Sequence, residues 1–237
     1  MKRIWWPGLA ILLCFGFSAQ PEKGFGTLVL SINPQFAGQP LVLGEQLYYT
    51  SRGDSLYVDV FRYYLSSVQL LGKPVDYQED NTCHLVDAED SSSQTIVLKN
   101  VPAGRYASLV FYVGTDSLAN VSGAMGGDLD PTLGMYWAWN SGYINVKIEG
   151  RSNACNTLHH AFTFHIGGYM PPHQTLRRVE LPLNKLKIRA GETTSVRVNA
   201  DLEQFFSSIE LKNRNQLMIP GKEAARLADG FTEVFGW

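Results

Sequence analysis

From Phe25 onward the chain repeats one pattern: short runs with apolar residues at every second position, cut by Gly, Pro or Ser. Leu28, Leu30 and Ile32 alternate in the first run, residues 25–33, and Ile144, Val146 and Ile148 in the run 143–149. Phe162, Phe164 and Ile166 do so in AFTFHIGGY. A period of two is the signature of a half-buried strand, and breaks about every ten residues leave room for strands and turns but little else. Residues 56–71, rich in Val, Tyr and Phe, read as two strand pieces with a bend at Ser66-Ser67, and Arg62 within them as a surface residue. The segment 95–114, with Pro-Ala-Gly at 102–104, reads as an antiparallel hairpin. Residues 177–189 and 193–201 supply two or three further strands, and only EAARLADGFTEVF near the end reads as a helix. The expected fold is all-β, an antiparallel β-sandwich with a short C-terminal helix, formed by a single domain over residues 21–237.

Residues 1–20 stand apart. Lys2 and Arg3 precede an apolar stretch from Ile4 to Phe17, and Gly16-Phe17-Ser18 offers a small-residue cleavage context. That is the layout of a secretory signal peptide, with the apolar part too short to span a bilayer. Leu13 before Cys14 stands where a lipoprotein signal wants a small residue, which disfavours a lipid anchor. The expected location is therefore periplasmic or secreted. Loss of Lys2 and Arg3 takes the formal charge from −2 to −4, which provides no footprint for nucleic acid. Two cysteines remain, Cys83 and Cys155; a disulfide between them and thiolate metal ligation are both open, since neither has a CxxC neighbour.

Catalytic templates are missing. There is no GxSxG, no Walker loop, no HExxH and no dinucleotide fingerprint, so the chain is read as a non-enzyme. Of its five histidines, His159, His160, His165 and His173 fall within one short span, and imidazole is a common ligand for copper and zinc. His159 and His160 read as exposed loop residues and His173 as a turn residue, whereas His165 projects from the strand face opposite Phe164 and Ile166. The glycine-rich stretch 114–134 holds Asp116, Asn120, Asp128 and Asp130, hard oxygen donors that suit calcium or simply a solvated turn. It runs into Trp137 and Trp139; two Trp at i and i+2 of a strand would share one face.

The segments HLVDAED (84–90), NVPAGRYASLVFYVGTDSL (100–118), VSGAMGGDLDP (121–131), GMYWAWNSGYINVKIEG (134–150) and FTFHIGG (162–168) together resemble the MbnP-like family of exported proteins. The resemblance runs from about Phe25 to Phe235 and is most specific in the WxWNSGY segment. It implies a β-sandwich that binds copper and partners a MauG-like di-haem cytochrome c peroxidase, which oxidises a tryptophan to kynurenine. Carried onto this chain, Trp137 is the first choice for the modified residue and Trp139 the second, with His84 and His165 as copper ligands. The chain departs from some copper-binding relatives at Trp139, where they place a histidine, and in its smaller number of cysteines. The rival expectation is a structural or adhesive cell-surface domain of the same fold without metal.

Overall fold

The computed structural model describes residues 24–80, 83–140 and 142–237, so the signal segment and Cys14 lie outside the described residues. Nine principal strands follow in order: β1 (Phe25–Phe36), β2 (Ser55–Lys73), β3 (Cys83–Asp87), β4 (Thr95–Pro102), β5 (Gly104–Val113), β6 (Gly142–Ser152), β7 (Ala161–Gly167), β8 (Arg177–Ile188) and β9 (Thr193–Asp201). Among the described residues the α-helices are α1 (Ser117–Val121), α2 (Glu203–Ser207) and α3 (Lys222–Phe231). Among the described residues no helix is long and apolar enough to cross a membrane.

The strands form two sheets. In the smaller, β1 lies between β4 and β9, with Leu28 opposite Leu98 on one side and Leu30 opposite Val196 on the other. The β1–β9 pair is parallel, an exception in a largely antiparallel sandwich. In the larger sheet β2 is the spine. Its first half pairs β6 (Phe61 opposite Ile148), its second half pairs β5 (Leu70 opposite Leu109), and its middle also pairs β3 (Arg62 opposite Asp87). β7 and β8 extend this sheet beyond β6 and β5. The bend expected at Ser66-Ser67 is present: Ser67 has φ 51°, and the β2–β5 register slips between Ser66 and Gln69.

Segment 95–114 is not a hairpin. β4 belongs to the smaller sheet and β5 to the larger, so the Pro-Ala-Gly corner carries the chain from one layer to the other. The corner is held by Ala103 N donating to Gly24 O at 2.8 Å and Tyr106 Oη donating to Pro102 O at 2.8 Å.

Between the sheets lies the main core, including Leu28, Leu30, Ile96, Phe61, Leu109, Ile148, Phe162 and Phe164. α3 buries Ala224, Leu227, Ala228 and Phe231, the i, i+3, i+4, i+7 stripe of an amphipathic helix. Phe231 meets the rings of Phe61, Tyr63, Phe205 and Phe235.

A second, separate cluster comprises Tyr64, Cys83, Leu85, Leu129, Met135, Trp137, Tyr143 and Ile144. Tyr64 and Arg62 alternate with the core residues Phe61, Tyr63 and Leu65, which puts this cluster on the outer face of the larger sheet. The glycine-rich stretch, read from sequence as solvated, therefore covers an apolar layer. Tyr143 and Asn145, whose alternation with Ile144 and Val146 assigns them to the outward face of the strand, are buried beneath it.

Candidate functional site

The tryptophan pair marks this outer layer. Trp137 pairs with Gly142 in a two-residue strand against the start of β6, and the chain turns immediately afterwards, with Asn140 N donating to Trp137 O. The turn ends the alternation, so the two indoles do not share one strand face as expected. Trp137 is 5% exposed and Trp139 64%, yet their ring centroids stand 5.7 Å apart, tilted by 45°. The buried indole occupies space left by Gly167: a β-carbon there would sit 2.8 Å from Cζ3 of Trp137 and 2.6 Å from the Tyr143 carbonyl oxygen.

Aromatic and polar contacts fix the surroundings. Tyr143 meets Tyr64 and Tyr136 edge-on, at 5.9 and 5.0 Å between centroids. Its hydroxyl donates to Leu129 O at 2.9 Å, and the Tyr64 hydroxyl donates to Asp128 O at 3.1 Å, so both phenols hold the glycine-rich loop. Burial raises both phenol pKa values, and also that of the Cys83 thiol, where Asp128 and Asp116 add to the effect. A hydrogen-bonded row of side chains, not foreseen from the sequence, ties three segments together. Asn120 Nδ2 donates to Thr115 Oγ1 (2.9 Å), Thr115 N to Asn145 Oδ1 (3.0 Å), Asn145 Nδ2 to Thr175 Oγ1 (2.8 Å), and Thr175 Oγ1 to Gly168 O (3.1 Å). An Asn in the middle of an alternating strand, between Ile144 and Val146, was the available signal.

A charged row runs beside the loop. His165, Lys147, Arg62 and Asp87 lie opposite one another across β7, β6, β2 and β3. Arg62 pairs with Asp87 at 2.7 Å and donates to Leu133 O at 3.2 Å, so it anchors the loop rather than lying free on the surface. Lys147 Nζ donates to Gly134 O at 3.3 Å. His165 Nε2 lies 2.6 Å from Glu149 Oε1, and the Glu149 pKa is lowered, first by this hydrogen bond. His165 and Gly167 share a strand face, about 7 Å apart along it, so His165 belongs to the layer that holds Trp137.

His84 does not join them. Alternation along β3 turns it away from the face of Asp87, and from the register it stands roughly 17 Å from His165. Its Nε2 is held by Glu79 Oε2 at 2.9 Å. The expected calcium donors have other work. Asp116 accepts from Ala119 N as the cap of α1, Asp128 from Leu85 N, and Asp130 from Thr132 N and Oγ1. Among the described residues no group of three or more His, Cys, Asp or Glu is placed to hold a metal ion. Both cysteines are free and buried. Cys83 sits in the outer cluster and Cys155 in the main core, so a sheet separates them and no disulfide forms.

The MbnP family model matches residues 25–219. The chain belongs to the MbnP family. Among solved structures, MbnP from Methylosinus trichosporium matches with a TM-score of 0.55 over 78% of this chain and 79% of that chain, at 16% identity, a likeness of fold. Among curated proteins none matches. The MbnP match takes in both sheets, the glycine-rich loop and the tryptophan pair, and it stops just short of α3.

As encoded, the residues around Trp137 do not make a copper centre. The indole nitrogen has no lone pair to give, and His165 is the one imidazole on that face of β7.

Proposed function

We propose that this MbnP-family chain is an exported, non-enzymatic partner of a di-haem peroxidase. In this reading the peroxidase oxidises Trp137 to kynurenine, and copper binding follows from that oxidation. The observation behind it is the indole pair: an exposed ring, Trp139, in contact with a buried one, Trp137. An oxidant docked on the surface touches Trp139 and draws electrons from Trp137 through it, without entering the fold. A groove of roughly 250 Å³ opens next to this contact, lined by Asn140, Met170, His173 and Pro220, with Met170 and Ile219 exposed around it.

The chemistry balances with peroxide as the oxidant. Two equivalents of hydrogen peroxide cleave the indole C2–C3 double bond and leave one oxygen on each carbon, giving N-formylkynurenine and two waters. Hydrolysis then releases formate and leaves kynurenine, whose aryl amine and ketone are new donors. In this reading His165, on the same layer and hydrogen-bonded to Glu149, supplies a further donor, while His84 lies on the other face of the sheet.

Peptide mapping tests the proposal, using protein prepared with and without the partner peroxidase and peroxide. The expected result is the mass gain of oxidation at Trp137, with copper held beside Trp137 only in the oxidised form. Two unmodified tryptophans after treatment with an active partner would return the chain to a structural or adhesive role.

A further inference from the structure

At the far end of β6 from Trp137, the chain turns from Ser152 to Ala161 through a tightly bonded loop. Cys155 N donates to Ser152 O at 2.9 Å, Ala154 N to Ser152 Oγ at 3.2 Å, and His160 N to Thr157 O at 3.0 Å. Thr157 Oγ1 closes the loop on Ala161 O. Within it His159 and His160 both adopt left-handed backbone, at φ 59° and 56°. Two consecutive side-chain-bearing residues in that region are costly to hold, and such conformations gather at functional sites.

The two imidazoles line a pocket of roughly 170 Å³ with Ser55, Tyr57, Arg151, Ser152 and Asn153. His160 Nδ1 is 3.0 Å from the Cys155 carbonyl oxygen. A carbonyl oxygen only accepts, so Nδ1 carries the hydrogen, and in the neutral ring the lone pair is left on Nε2. A backbone carbonyl holding the other ring nitrogen is how metal-binding histidines are oriented. The neighbouring cation is screened: Arg151 pairs with Asp59 at 2.6 Å, donates to Gly44 O at 2.7 Å and lies 4.4 Å over the Tyr57 ring. The Cys155 thiol is no ligand here, since it is buried in the main core with its Sγ facing Leu211 O.

We propose that His159 and His160 form a metal site for a borderline transition-metal cation, copper(II) or zinc(II), with water completing its coordination. The site is independent of tryptophan oxidation. Its two ligands stand on the 152–161 loop, whereas Trp137 pairs with Gly142 at the opposite end of an eleven-residue strand, about 33 Å long.

The test uses the mature chain made without any peroxidase, titrated separately with copper(II) and zinc(II) against a competing chelator. One equivalent of at least one metal should bind, and nitrogen coupling should appear in the copper(II) resonance spectrum. His160→Asn keeps a side-chain N–H for the Cys155 carbonyl and tolerates left-handed backbone, but it removes Nε2. It should weaken binding by at least about tenfold, as should His159→Asn. The variant His173→Asn should bind as the parent does. In the unaltered chain, bound metal should also shield His159 and His160 from carbethoxylation mapped by mass spectrometry. Failure to compete with the chelator would overturn the site, as would parental affinity in His160→Asn and His159→Asn, or unshielded histidines. An unmodified Trp137 would sink the peroxidase reading and leave this one standing.

Discussion

Trp139 covers Trp137: the two ring centroids are 5.7 Å apart, with one indole largely in water and the other almost wholly removed from it. Equal chemistry in unequal surroundings predicts unequal consequences. Trp137→Ala empties a site in the outer cluster and should destabilise by about 3–5 kcal/mol. Trp139→Ala should cost under about 1 kcal/mol, since most of its surface stays wet. Urea unfolding of both variants checks this, and equal costs would show that the rings are equally buried in solution. Under peroxidase treatment Trp139→Phe should slow oxidation of Trp137 while leaving stability close to the parent. An unchanged rate would mean that the oxidant reaches Trp137 by another path.

Asn145 connects the loop before α1 to the segment after β7, through Thr115 and Thr175. Asn145→Ala leaves Thr115 N without its acceptor and the Thr175 hydroxyl without its donor, at buried positions. The Thr175 hydroxyl still donates to Gly168 O, so the orphaned Thr115 N dominates and a loss of about 1–3 kcal/mol is expected. Because the same ties hold the cover over Trp137, tryptophan fluorescence of the folded variant should move to longer wavelength. A stability loss with an unshifted spectrum would show that the cover stays closed without Asn145.

How far these features could be read from residues alone depends on which physical scale sets them. The alternation in β1, β6 and β7 is local, and so were the strands themselves and the amphipathic stripe of α3. The Pro-Ala-Gly corner reads identically whether the chain folds back on its own sheet or crosses to the other. The partner of β4 is decided by packing seventy residues away, against Leu28 and Val29. Likewise, Tyr143 and Asn145 follow the period of an exposed face, and only the arrival of the glycine-rich loop covers them. The parallel pairing of β1 with β9 leaves no local trace at all. In the site, the nearness of the two tryptophans was visible from their spacing. Their opposite exposure was not, because it arises from a turn at Asn140.

Cys83 and Cys155 lie on opposite sides of the larger sheet, and burial raises both thiol pKa values. Protonated and covered, neither should react with a thiol reagent while the protein is folded, and both should react after unfolding. Reducing agent should leave the melting temperature unchanged. Loss of both free thiols in denatured, unreduced protein would reveal a disulfide and contradict this arrangement.

The pair of Glu149 and His165 sets a pH dependence. The carboxyl pKa is lowered below its ordinary 4.5, first by the hydrogen bond from His165 and then, against the opposing pull of burial, by the charge of Lys147. A carboxyl whose folded pKa is depressed stabilises the fold above its unfolded value, and that contribution disappears as pH falls through the folded one. Glu149→Gln should therefore be less stable than the parent at neutral pH, by no more than about 1 kcal/mol because the group is partly exposed. The difference should vanish under acid conditions, below the ordinary carboxyl range. Unfolding free energies measured for both proteins from neutral to acid pH decide the matter. A gap that persists unchanged into acid would show that packing, not ionisation, is what Glu149 contributes beside His165 and Lys147.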